Sequence, residues 1–202
     1  MPSAGHVIAL TFDAGSDVGY THDILDTLAA NHVRATFGMT GEWAQANPKF
    51  VQRIAREGHT FINHTWSHRS FTGASTGAAP LTAAERASEL AQTEAHIVTL
   101  TGVSTKPLFR PPYGDTDDSV ARDVAADGYA YQVMWSVDTH GWAGASVDEI
   151  VDRVREGASD GGIIVMHVGS ASQDGPALQA VIDALRADGY GFMTVQGLLG
   201  VE

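Results

Sequence analysis

The sequence predicts an α/β fold on parallel strands: a distorted (β/α) barrel of about seven strands, TIM-barrel-like but one unit short of the usual eight. Three observations predict it. Short β-rich runs alternate with amphipathic helical patterns along all 202 residues, and that alternation gives a parallel sheet whose crossovers are helices. Several runs are nearly continuous in apolar residues, as strands covered on both faces are. The length also falls below the ~250 residues of a typical eightfold barrel. An open doubly wound sheet is the competing architecture, and the lack of a glycine-rich phosphate loop after the first run weighs against it.

Taken in order, the strand runs are 6–12, 33–39, 59–63, 107–110, 129–135, 162–167 and 190–195. Between them lie helices with apolar residues at i, i+3, i+4 and i+7, such as Val147, Ile150, Val151 and Val154, or Leu178, Val181, Ile182 and Leu185. Two helix starts carry a capping box, Thr82 with Glu85 and Ser146 with Glu149. No Pro/Gly/Ser-rich linker, low-complexity run or repeat interrupts the chain, so residues 1–202 read as a single domain.

Composition excludes several function classes. Twenty-four acidic against twelve basic residues give a net charge of −12 without a basic stripe, which argues against nucleic-acid or anionic-membrane binding. The absence of cysteine removes disulfides and thiolate ligands. No run of ~20 apolar residues is present to span a membrane. The first residues, Met1-Pro2-Ser3-Ala4-Gly5, lack the charged and apolar regions of a signal peptide. The expectation is either a cytoplasmic protein or the core of a longer secreted one. Oligomeric state leaves no trace in the sequence.

His64 and His68 are the strongest chemical signal. Imidazoles four residues apart on a helical turn share one face and reach one point, the way a helix grips a metal that favours nitrogen. Other reactive residues fall at the C-terminal ends of the strand runs, where a parallel barrel builds its active site. Asp13 follows the first run, Arg110 closes the fourth, Asp138 comes just after the fifth, and His167 ends the sixth.

The segments Thr11-Phe12-Asp13-Ala14-Gly15, His64-Thr65-Trp66-Ser67-His68, Arg110-Pro111-Pro112-Tyr113-Gly114, Asp138-Thr139-His140-Gly141-Trp142 and Ile164-Val165-Met166-His167 stand in this order over nearly the whole chain. As a set they resemble the polysaccharide deacetylase family, the NodB-homology or carbohydrate esterase 4 domain. That resemblance implies metal-dependent removal of N- or O-acetyl groups from glycans such as peptidoglycan, chitin-type oligomers or acetylated xylan. It implies a divalent metal on His64 and His68, Zn²⁺ first and Co²⁺ or another transition metal as alternatives. Asp13 becomes the general base and Arg110 the cation that orients it. The backbone N–H of Tyr113 becomes the oxyanion donor. His167 becomes the general acid, with Asp138 as its carboxylate partner. Val165 and Trp142 resemble the apolar residues that enclose the acetyl methyl group, although as bare sequence they read equally well as core. An acetylated glycan at the cell wall or outside the cell is the partner implied.

Two positions depart from the family pattern. The second aspartate usual in the first motif, the third metal ligand, is Ala14 here. Asp17 is the next acidic side chain, a replacement ligand or else the N-cap of the following helix; a water in place of the carboxylate is the third option. The acidic residue usual before the fourth motif's tryptophan is Gly141. A non-catalytic carbohydrate-binding relative and a metal-independent hydrolase of small cyclic amides are therefore competing readings.

Overall fold

The computed structural model describes residues 6–201. In chain order these form β1 (Val7–Ala14), α1 (Thr21–Ala30), β2 (Thr36–Met39), α2 (Gly41–Ala46), α3 (Pro48–Arg56), β3 (Thr60–Asn63), α4 (Ala83–Thr101), β4 (Leu108–Phe109), α5 (Asp118–Ala126), β5 (Tyr131–Gln132), β6 (Val137–Asp138), α6 (Val147–Gly157), β7 (Gly162–His167), α7 (Asp174–Ala187), β8 (Gly191–Phe192) and α8 (Val195–Leu199). Every strand pair with a defined register is parallel, as the alternating pattern requires. Among the described residues no helix is long and apolar enough to cross a membrane.

The chain divides into two compact units. One comprises the residues up to Phe37, Arg56–Thr60 and everything from Trp135 on; the other comprises Gly38–Ala55 and Phe61–Met134. The chain passes from one to the other inside β2 and at the start of β3.

In the first unit the strand order is β8-β1-β7-β6. Residues 8–14 of β1 are all buried, which explains the run Ile8-Ala9-Leu10 and the depth at which Asp13 is held. The register sets Leu10 beside Ile164 and Asp13 beside His167. α7 buries Leu178, Val181, Ile182 and Leu185 and packs against α1 and α6. α6 buries Ile150 and Val154, while Val147 and Val151 are half-buried at the margins of the same stripe. Burying each such aliphatic side chain contributes about 1.5–3 kcal/mol.

In the second unit β3, β4 and β5 run side by side, with Asn63 opposite Phe109 and Phe109 opposite Gln132. Their core is the cluster Phe71, Leu81, Leu90, Phe109, Val120, Val124 and Tyr129. α4 starts at the expected capping box, Thr82 Oγ1 accepting from the Glu85 N–H and Glu85 returning to the Thr82 N–H. The helix stops at Gly102, whose φ of +73° is cheap only without a side chain. α6 carries the second expected box, at Ser146 and Glu149.

Three of the expected strand runs contract to two residues each, and the two-residue β6 lies outside all of them, so the eight strands agree with the α/β fold of about seven parallel strands that the sequence predicts. The contraction at 129–135 has a local cause. Within its unit β5 is paired only with β4, and the Tyr129 backbone N–H is taken by the Val124 carbonyl at the end of α5, at 3.0 Å.

Candidate functional site

The reactive residues form two sets, one in each unit. The first centres on His64 and His68. Their spacing predicts a helical turn, but the chain leaves β3 in an irregular turn with Thr65 at φ +69° and His68 at φ +58°. Left-handed backbone at a non-glycine residue costs on the order of 1–3 kcal/mol and survives only where surrounding bonds impose it. Those bonds are present. Asn63 Oδ1 accepts the Thr65 N–H at 3.0 Å, and Thr65 Oγ1 accepts the His68 N–H at 3.1 Å. Glu89 on α4 accepts the N–H groups of Trp66 and Ser67 at 2.8 Å each, and its other oxygen takes the Ser67 hydroxyl at 2.7 Å. Asn63 is itself fixed by donating to the Tyr129 hydroxyl at 2.7 Å. Burial pushes that phenol up to about 12, so it stays neutral.

Glu89→Ala should therefore strand two backbone N–H groups in a partly buried turn. At about 1–3 kcal/mol for each, urea unfolding should register a loss near 3 kcal/mol. An unchanged midpoint would show that the turn holds itself.

The result is two converging rings. His64 Nδ1 lies 2.9 Å from the Arg110 carbonyl oxygen, a contact that places the Nδ1 proton and leaves Nε2 as the lone-pair nitrogen. The Nε2 atoms of His64 and His68 are 3.2 Å apart. A tetrahedral ion with Zn–N bonds of ~2.0–2.1 Å holds two imidazole nitrogens about 3.3 Å apart. The pair thus fits two ligands of one metal. It is also incomplete, since no group of three or more His, Cys, Asp or Glu side chains among the described residues is arranged to hold an ion.

Arg110 and Tyr113 belong to the same set. The Arg110 side chain is fully buried and its Nε donates to the Val133 carbonyl at 2.9 Å. After Pro111 and Pro112, Tyr113 sits at φ +61°. Its half-exposed ring stands edge-on to the His68 ring, with centroids 4.7 Å apart.

The second set lies at the C-terminal ends of β1, β6 and β7. Asp13, nearly buried, neighbours His167 in the register, and Asp138 neighbours Val165. Val165 is buried, whereas the Trp142 ring is 55% exposed, so the core reading of Trp142 falls away. That ring lies 6.4 Å from the His167 ring.

Asp138, the expected partner of His167, accepts the His140 N–H at 2.9 Å and the Trp142 indole N–H at 3.2 Å, and its charge also acts on the His167 ring. A carboxylate that sequence reasoning misses, Asp174, touches His167. Its Oδ2 accepts the His167 N–H at 2.7 Å and lies 3.6 Å from His167 Nδ1. Burial disfavours the protonated ring, yet the carboxylates of Asp174, Asp13 and Asp138 outweigh it and raise the His167 pKa. The only signal in the sequence was an acidic residue at a helix start seven positions on, which reads as an ordinary N-terminal charge.

Ala14 closes β1 with no donor to offer. Asp17 does not cap α1, whose N-cap is Tyr20. One Asp17 oxygen accepts the Ser170 N–H at 2.8 Å and the other accepts the Ser170 hydroxyl. These bonds hold the Asp17 carboxyl below its ordinary pKa, so any role as a ligand would share oxygens already engaged.

The polysaccharide deacetylase family model matches residues 1–132. A peptidoglycan-N-acetylglucosamine deacetylase of Bacillus cereus is 37% identical over 88% of this chain and 60% of its own length. The peptidoglycan-N-acetylglucosamine deacetylase PgdA of Listeria monocytogenes is 33% identical over 96% of this chain and 39% of its own. The chain thus spans from about two fifths to three fifths of these relatives. Among solved structures, the Bc1960 peptidoglycan N-acetylglucosamine deacetylase, in complex with an N-hydroxybenzamide, superposes with a TM-score of 0.88 at 32% identity. That match covers 100% of this chain and 90% of that one.

Proposed function

Because the chain belongs to the polysaccharide deacetylase family, we propose that it hydrolyses acetyl groups from N-acetylated glycans, with peptidoglycan first and chitin-type oligomers second. The observation that carries this reading is the His64–His68 pair, whose 3.2 Å nitrogen separation matches two ligands of a single divalent ion. The identity of the two deacetylases above, 37% and 33%, supports the choice of peptidoglycan, and with it a place at the cell wall.

The roles are those the family resemblance implies for these residues. His64 and His68 would hold Zn²⁺ or Co²⁺, with Asp17, the next acidic side chain after Ala14, as the candidate for the missing donor. Such an ion supplies Lewis-acid polarisation of the acetyl carbonyl and makes water a better acid. Asp13, at the end of β1, takes the proton of the attacking water. Arg110 would take the family role of orienting the base aspartate, for which a rigid, always-charged guanidinium is suited. The Tyr113 N–H, set by the left-handed turn after two prolines, donates to the oxyanion, a contribution of ~3 kcal/mol in comparable sites. His167 gives a proton to the departing amine, for which a raised pKa is the useful direction. Val165 and Trp142 would face the acetyl methyl group.

The test is acetate release from N-acetylglucosamine oligomers and from peptidoglycan, comparing chelator-stripped protein with the same protein resupplied with Zn²⁺ or Co²⁺. Release that requires the metal is expected. Ala14 and the two-nitrogen metal pair favour one rival, a carbohydrate-binding relative without turnover. Glycan binding with no acetate under either condition would select that rival.

A further inference from the structure

Asp174 and Gly141 belong together. Asp174 is wholly buried at the first position of α7. Its Oδ2 accepts from the His167 N–H at 2.7 Å and from the Ser172 hydroxyl at 2.8 Å. Its Oδ1 is buried with no hydrogen-bond partner among the described residues, and so is His167 Nδ1. A carboxylate so placed is costly unless a positive charge stands close by. The nearest candidate is the His167 ring, whose Nδ1 lies 3.6 Å from Oδ2, too long for a hydrogen bond and right for an ion pair.

Gly141 explains how that carboxylate fits. A Cβ on residue 141 would stand 2.5 Å from Asp174 Oδ1 and 2.7 Å from both Asp174 Cγ and Ser172 Oγ. Any side chain there must displace the carboxylate or occupy its place.

We infer that Asp174 is the positioning residue of His167, lodged in the volume that a side chain at position 141 would fill and made possible by the glycine there. The Asp174 charge draws the Nδ1 proton to its side and leaves Nε2 to carry the proton that reaches the substrate. The other ionisable groups facing the ring are Asp13 from β1 and Asp138 from β6, with His140 behind Asp138 at 3.9 Å. The catalytic consequence rests on the deacetylase reading; the effect on the ring does not.

The experiment follows the His167 ring by NMR titration of the whole chain without substrate, its resonance identified by loss in His167→Gln. Asp174→Asn keeps both acceptor bonds at one oxygen and replaces the unpartnered oxygen with an amide nitrogen of the same size, removing the charge, so the fold should survive. The His167 midpoint should fall by about one unit, a ~10-fold loss of proton affinity. An unmoved midpoint overturns the inference, because Asp13 and Asp138 would then suffice.

The double variant Asp174→Ala, Gly141→Asp returns a carboxylate to the same volume from the opposite wall. Recovery of most of the shift is expected, and no recovery refutes the shared volume. If the parent releases acetate, the alkaline limb of its kcat profile should move down with the midpoint in Asp174→Asn while KM holds. A chain that never releases acetate sinks the proposed function yet leaves the ring titration fully decisive.

Discussion

His64→Ala should abolish Zn²⁺ binding and lower acetate release by ~10³-fold or more. His64 is nearly buried, its Nδ1 rests on the Arg110 carbonyl, and its Nε2 faces that of His68. Removing the ring leaves one imidazole, and a single nitrogen cannot fix an ion or the angle between its ligands. A catalytic metal contributes several kcal/mol of charge stabilisation, and ~4 kcal/mol corresponds to a thousandfold in rate. His68→Ala should give the same loss of metal by a different route, since its ring is on the opposite side of the pair. Metal content after dialysis, read beside acetate release and far-UV circular dichroism, separates lost chemistry from lost fold. Full activity in folded, metal-free His64→Ala protein would refute the role given to the pair.

What the sequence makes legible here is what local chemistry determines. The two capping boxes place the starts of α4 and α6 to the residue, because N-cap and N3 are three positions apart and need no tertiary partner. The buried strands β1 and β7 show as apolar runs because both faces are covered. Partners distant in sequence leave no such trace. The turn carrying the two histidines is shaped by Glu89, more than twenty residues away, and a spacing of four suits a helix equally well. Asp174 is hidden for a similar reason. Its meaning depends on β7 and α7 meeting where Gly141 leaves room, and a glycine in place of an acidic residue reads as a loss until its neighbour is seen. Asp138, by contrast, lies at the expected strand end but spends its oxygens on His140 and Trp142.

Gly41→Ala should destabilise the protein by about 3 kcal/mol and weaken Zn²⁺ binding at least tenfold, although helix propensity alone predicts the opposite sign. Gly41 opens α2, and alanine in a helix is favoured over glycine by about 1 kcal/mol. The added methyl, however, would overlap the six-membered ring of Trp66 at Cε3 and crowd Cδ2 and Cζ3. Trp66 has little freedom to yield. Its N–H is held by Glu89, its carbonyl accepts the Glu42 N–H at 3.1 Å, and its ring stands edge-on to His96 at 5.9 Å. Overpacking of this kind costs about 1–3 kcal/mol, occasionally more, and no rotamer relieves it while the backbone is pinned on both sides. The strain passes to the turn between His64 and His68, because the Gly41 N–H also binds the Thr65 carbonyl at 2.9 Å. A shift there opens the angle between the two nitrogens, so affinity should fall with stability. Steric conflict with the indole is separable from a general intolerance of position 41 by a double-mutant cycle. Gly41→Ala in a Trp66→Ala background should cost little or even stabilise, since only the propensity gain remains. Urea unfolding and calorimetric Zn²⁺ titration of the four proteins read both quantities. Equal penalties for Gly41→Ala with and without the indole would show that Trp66 is not what forbids a side chain there.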